Sequence, residues 1–143
     1  HRCQRVKSND NIVWINDSKA TNVGATIAAI NGLAQTLIPN QRLILIAGGD
    51  GKGADFTPLI SAFKKHVSKV ITLGKDGDKI AKLAGNATKV SGLVEAVAVA
   101  KSIAHAGDII LLSPACASLD MFRNFSERGD QFMHAVTQLA EAS

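Results

Sequence analysis

The chain has 143 residues, 46% of them apolar and 20% charged, which suits one globular domain with its own core and excludes a disordered segment. Its net charge of +4 and pI near 9.3 suit small anions, whereas scattered basic residues, no tyrosine and a single tryptophan inside a strand exclude a base-stacking platform for nucleic acid. No apolar run approaches the roughly 18–20 residues that span a bilayer, no signal-peptide pattern opens the chain, and Cys3 and Cys116 suit neither a disulfide framework nor a zinc site, which points to the cytoplasm and to no metal of the chain's own.

Short β-branched runs alternate with helical stretches. Val6 and Ile12–Ile15 read as an opening pair of strands, joined by the turn formers Ser8-Asn9-Asp10-Asn11. Thr26 to Leu37 reads as a helix with Ile27, Ile30 and Leu33 or Ala34 on one face. Arg42 to Ala47 is a continuous apolar run, the pattern of a parallel strand covered on both faces. A helix follows, with Thr57 as its cap, Pro58 at its first position, and Phe56, Leu59, Ile60 and Phe63 as its apolar stripe. Lys69–Leu73 is a strand, Asp76–Leu83 a helix, and Thr88–Val90 a short strand. Ser91 caps a helix running to about His105, with Leu93, Val94, Val97 and Ala100 or Lys101 inward. Asp108–Leu112 is a further buried strand, and the last helix covers roughly Arg128 to Ala142.

This alternation predicts a single α/β domain over residues 1–143: a Rossmann-like, mostly parallel sheet of about six strands with helices on both faces. Ligands of such sheets bind beyond the carboxyl ends of the strands. Three polar loops fall there: Asn16–Asn22, Gly48–Asp55 and Ser113–Phe125.

The first loop, Asn16-Asp17-Ser18-Lys19-Ala20-Thr21-Asn22, opens a helix, where exposed N–H groups attract anions and Lys19 adds a cation. Its Asp, Ser, Thr and Asn also suit plain helix capping. The second, Gly48-Gly49-Asp50-Gly51-Lys52-Gly53, is no Walker A loop, because Ile46 and Gly53 stand where glycine and Ser or Thr are required. Its G-x-G-x-G spacing also fails the dinucleotide fingerprint. What remains is a tight glycine turn presenting Lys52. The third, Ser113-Pro114-Ala115-Cys116-Ala117-Ser118-Leu119-Asp120, has small residues that admit a ligand close to the backbone. No histidine is placed locally to activate Cys116, which reads as a small core residue.

Together with His1-Arg2 at the start and Phe122 to Phe125, these loops resemble the Mur ligase family over essentially the whole chain. The start at His1, without a methionine, reads as a cut piece of a longer protein. The resemblance implies a C-terminal domain, with an N-terminal UDP-binding domain and a central domain holding ATP and Mg2+ lying outside this chain. It implies an activity in peptidoglycan precursor synthesis that joins D-glutamate to UDP-N-acetylmuramoyl-L-alanine through an acyl phosphate. By the same resemblance Thr21, Lys52, Ser118, Leu119 and Phe125 surround D-glutamate, and Arg2, Asp17 and Lys19 reach the nucleotide. Lys19 also lies by the reacting carboxylate with His1 nearby, and the isolated chain is expected to be inactive. The alternatives are a ligase of the same family for another amino acid, of the folylpolyglutamate synthase type, and a stand-alone nucleotide- or anion-binding module.

Overall fold

The computed structural model describes residues 1–142, and side chains through residue 139. In chain order its elements are β1 (Gln4–Val6), β2 (Val13–Asn16), α1 (Val23–Ala34), β3 (Leu43–Gly48), α2 (Leu59–His66), β4 (Lys69–Leu73), α3 (Gly77–Ala81), β5 (Ala87–Lys89), α4 (Leu93–Ile103), β6 (Ile109–Leu112) and α5 (Phe125–Ala142). The described residues form one six-stranded sheet in the order β1-β2-β6-β3-β4-β5. Only the β1–β2 pair is antiparallel, with Val6 opposite Trp14.

The apolar runs sit where two-sided burial demands them. β6 lies centrally, its Ile110 paired with Trp14 of β2 and Ile44 of β3. All of β3 and β6 is buried. Alternate side chains feed two separate cores. Trp14, Ile44, Ile46, Ile110 and Leu112 meet Leu93, Val97, Phe132 and Val136 of α4 and α5. Ile15, Leu43, Leu45 and Leu111 meet Ile30, Leu59, Phe63 and Ile80 of α1, α2 and α3. Each fully buried aliphatic side chain contributes about 1.5–3 kcal/mol, so the sheet's central pair anchors both layers.

The topology fixes where a ligand can bind. The helix after β6 lies on one face, while those after its neighbours β2 and β3 lie on the other. The connections diverge there, and a crevice opens at the carboxyl ends.

Several element limits depart from the sequence expectation. α1 begins before Thr26 because Asn22, in extended backbone, accepts the Ala25 N–H at 2.9 Å. It ends before Leu37, where the hydroxyl of Thr36 turns back to the Leu33 carbonyl. Thr57 does not cap α2, since its hydroxyl bonds Asp55 instead. Ser91 donates to the Glu95 carboxylate, so Gly92 takes the capping position of α4 without a side-chain bond. Val94, expected inward, is 71% exposed, whereas Ala100 is fully buried. α5 starts earlier, at Phe125.

Candidate functional site

The first, second and third loops follow β2, β3 and β6, and the structure ties all three together at the carboxyl edge. Asp50 and Ala117 exchange backbone hydrogen bonds, an antiparallel bridge between the second and third loops. Gly49 permits that approach: its φ is +129°, and a Cβ there would lie 2.5 Å from the Ala117 carbonyl oxygen. The first and third loops are joined by Ala115 N–H to the Ala20 carbonyl and by the Ser113 hydroxyl to Asp17 Oδ2 at 2.9 Å. The start of the chain belongs to the same cluster. Cys3 N–H donates to Asp17 Oδ1 at 3.0 Å, and Lys19 N–H to the His1 carbonyl.

The centre of this cluster is Arg128, which sequence reasoning placed only as the opening of a helix. It is buried, and its guanidinium donates to the Ser18 hydroxyl, the Ser18 carbonyl and the Cys116 carbonyl at 2.9, 2.7 and 3.0 Å. Ser18 in turn donates to the Phe125 carbonyl at 2.6 Å. Burial lowers the Arg128 pKa to about 10, so it stays charged at neutral pH. The same burial pushes the Cys116 thiol up to about 12, which removes it as a nucleophile. An arginine at the start of a helix gives no sequence signal of this role; only its distance in space to the first loop does.

Asp76 is the second residue the sequence hid. Its Oδ2 accepts Gly51 N–H at 2.7 Å, and that hydrogen bond holds its carboxyl below the usual range despite burial. The turn thus pinned presents Lys52 at a φ of +51°, with its N–H on Asp50 Oδ1. Ala115 also sits at positive φ, at +62°. Non-glycine residues in this region cost about 1–2 kcal/mol each, and both stand in the tied loops.

The predicted residues fall into two groups. Arg2, Asp17 and Lys19 line one cleft of about 340 Å3 against Ala25, Ala28 and Ala29 of α1. Asp17 is buried with both oxygens engaged, whereas Arg2 and Lys19 are exposed. Thr21 stands on the first loop, Lys52 on the second, and Ser118 and Leu119 on the third, which ends at Phe125. Ser118 is buried, Leu119 is 62% exposed, and Phe125 is half-buried at the first turn of α5. Among the described residues, the ammonium groups of Lys19 and Lys52 have no carboxylate partner, while Lys75 and Lys79 nearby pair with Asp50 and Asp76. His1 rests against α5, its Nε2 at 2.9 Å from Asp130 Oδ1.

The family profile described as "Mur ligase, glutamate ligase domain" matches residues 1–116. The chain belongs to the Mur ligase family. It is 62% identical, over 95% of its length, to the UDP-N-acetylmuramoylalanine–D-glutamate ligase of Colwellia psychrerythraea, and covers 29% of that protein. It is 50% identical, over 98% of its length, to the ligase of the same name from Pseudomonas fluorescens, and covers 32% of it. The chain therefore spans about three-tenths of the length of the curated relatives it matches. Among solved structures, the MurF ligase of Thermotoga maritima aligns with a TM-score of 0.67 at 12% identity, over 99% of this chain and 31% of that one. A domain from a Haemophilus ducreyi protein described as a putative UDP-N-acetylmuramate:L-alanyl-gamma-D-glutamyl-meso-diaminopimelate ligase aligns with a TM-score of 0.64 at 19% identity, over 95% of this chain and all of that one. These structures share the Mur ligase fold: the mostly parallel, Rossmann-like sheet expected from the sequence.

Proposed function

We propose that this Mur ligase chain is a single C-terminal domain, residues 1–143, of an ATP-dependent ligase that joins D-glutamate to UDP-N-acetylmuramoyl-L-alanine in the cytoplasm. The observation that carries this reading is the pair of cations, Lys19 and Lys52, left without carboxylate partners on loops that are otherwise tied together. A dicarboxylic amino acid, delivered to a phosphorylated carboxylate, needs two such anion sites. The names of the relatives at 50–62% identity support D-glutamate as that amino acid.

In this reading Lys52 pairs with a carboxylate of D-glutamate, and the hydroxyls of Thr21 and Ser118 orient it. Leu119 and the Phe125 ring cover its methylene groups. Lys19 stands between the amino-acid crevice and the cleft it shares with Arg2 and Asp17, where it neutralises charge on the reacting carboxylate and the nucleotide. Arg2 and Lys19 fit phosphate oxygens, Arg2 through its planar fork. The oxygens of Asp17 each accept one hydrogen bond and retain a lone pair for a hydroxyl donor. ATP supplies the phosphoryl group that turns the muramoyl-alanine carboxylate into an acyl phosphate, with Mg2+ neutralising phosphate charge. Both belong mainly to the central domain; among the described residues no group of three or more His, Cys, Asp and Glu is placed to hold a metal ion. The N-terminal, UDP-binding domain completes the enzyme. Closure of the three domains brings the D-glutamate amine to the acyl phosphate and excludes water. The described residues contain no helix long and apolar enough to cross a membrane, and the reading assigns no membrane or nucleic-acid partner.

The test is phosphate release by the full-length protein, given ATP, Mg2+, UDP-N-acetylmuramoyl-L-alanine and a panel of amino acids. Release with D-glutamate alone is expected. Release only with L-glutamate and a folate acceptor would replace the substrate while keeping the family. The isolated chain is expected to turn over no ATP with any pairing.

A further inference from the structure

Asn16 ends β2 and is fully buried, yet both ends of its amide are used. Its Oδ1 accepts Ser18 N–H at 3.1 Å. Its Nδ2 lies 2.9 Å from His1 Nδ1 and 3.4 Å from the Gly129 carbonyl oxygen. A flipped amide would set oxygen against the Gly129 carbonyl and nitrogen against the Ser18 N–H, donor on donor and acceptor on acceptor. The orientation is therefore fixed, and the nitrogen can only donate. His1 Nδ1 must accept, so the neutral ring carries its proton on Nε2.

The surroundings of the ring agree. Its Nε2 faces Asp130 Oδ1 at 2.9 Å, an acceptor on α5. Gln4 Oε1 lies further off, at 3.4 Å from Nδ1, on an exposed side chain free to turn its amide donor inward instead. The carbon edge of the ring lies against Gly129, where a Cβ would come within 2.7 Å of His1 Cδ2. The ring is thus held by a buried amide behind, a glycine below and a surface carboxylate in front.

We propose that Asn16 is a positioning residue that locks His1 in its Nε2–H tautomer, so that the ring offers one directed donor to an anionic oxygen of the substrates. This rests on the ligase reading above. Asp130 is the resting acceptor. Its side chain is 67% exposed, and a contact of that kind is worth only about 0–1 kcal/mol, so it gives way when a substrate oxygen arrives on domain closure. Asn16 touches no substrate and acts through His1 alone.

The experiment uses the full-length protein with 15N-labelled histidine and long-range 1H–15N correlation at about pH 8, where the unperturbed imidazole is neutral. His1→Gln identifies the signal. The expected wild-type pattern is a protonated Nε2 and a bare, hydrogen-bonded Nδ1. Asn16→Asp replaces the donor by an acceptor and is expected to move the proton to Nδ1. kcat then falls about tenfold or more, as when a catalytic imidazole is held in the wrong tautomer, with little change in the KM for D-glutamate. Asn16→Ala, which removes the lock without a new charge, is expected to give a mixture of tautomers and an intermediate kcat. A proton on Nδ1 in the wild type would overturn the proposal even if neither variant folds. So would an unchanged tautomer and kcat in a folded Asn16→Asp protein. Absence of D-glutamate-dependent phosphate release by the wild type would instead overturn the ligase reading, and the tautomer pattern would still judge the lock.

Discussion

The two ends of the sheet treat charge in opposite ways. At the amino end, two carboxylates are closed off by the fold. Asp108 is buried at the start of β6, where it accepts the Arg42 and His105 N–H groups and pairs with the Arg42 guanidinium at 2.8 Å. Asp10, in the turn before β2, accepts from Ser8, Ile12 and the indole of Trp14, and pairs with Lys101. At the carboxyl end the buried groups Asp17, Asp76 and Arg128 tie loops to one another, while Arg2, Lys19 and Lys52 face outward. Positive φ does not divide the two ends: Lys52 and Ala115 carry it here, and Asn11 and Asn40 carry it at the amino end. One end secures the fold, and the other leaves exposed the cations on which the proposed ligand site rests.

This contrast makes the two ends separable by mutation. Asp108→Ala leaves Arg42 and two backbone N–H groups without their buried acceptor and is expected to cost about 3 kcal/mol or more in urea unfolding. Substrate use by the folded full-length protein stays near wild type.

The next effect sits at the carboxyl end. Gly49→Ala forces a side chain into positive φ and against the Ala117 carbonyl. It is expected to cost about 2 kcal/mol and to impair D-glutamate use together with stability, since the Asp50–Ala117 bridge must open. A folded variant with wild-type kinetics would separate that bridge from the site.

A smaller effect is read by pH. Burial pushes the Asp108 carboxyl up, but the hydrogen bonds from His105 and Arg42 and the Arg42 charge outweigh it and hold the group below its usual value. A folded-state pKa below the unfolded one gives stability that is fully present above about pH 4 and lost as pH falls through the folded value. Asp108→Asn should therefore flatten the decline of the unfolding midpoint from about pH 4 downward. An unchanged acid limb would mean that other carboxylates govern it.

The strands were the legible part of the sequence. Arg42–Ala47 and Asp108–Leu112 announce themselves because a strand covered on both faces has no polar alternation to obscure it. The carboxyl edge was legible as three loops, since glycine, proline and small polar residues mark them. The ties between the loops were not. Arg128 reads like any solvated arginine, and Asp76 like a helix start, until the fold brings Ser18, Cys116 and Gly51 against them. Helix starts failed for a related reason. Thr57 and Ser91 are good caps by type, but Asp55 and Glu95 lie within reach and take their hydroxyls. Val94 misled because at the exposed face of the first turn of α4 its neighbour Leu93 already fills the core.

The smallest expected change in stability belongs to the most informative variant. Lys52→Ala removes an exposed side chain and should alter unfolding by no more than about 0.5 kcal/mol. Measured as D-glutamate saturation of phosphate release by the full-length protein, it tests the central claim directly. The account predicts a rise in the KM for D-glutamate of roughly 10- to 100-fold, the loss of one charge-assisted contact to a carboxylate, at an unchanged unfolding midpoint. Unchanged KM and kcat would take Lys52 out of the site and contradict the reading of the carboxyl edge as the place where the amino acid binds.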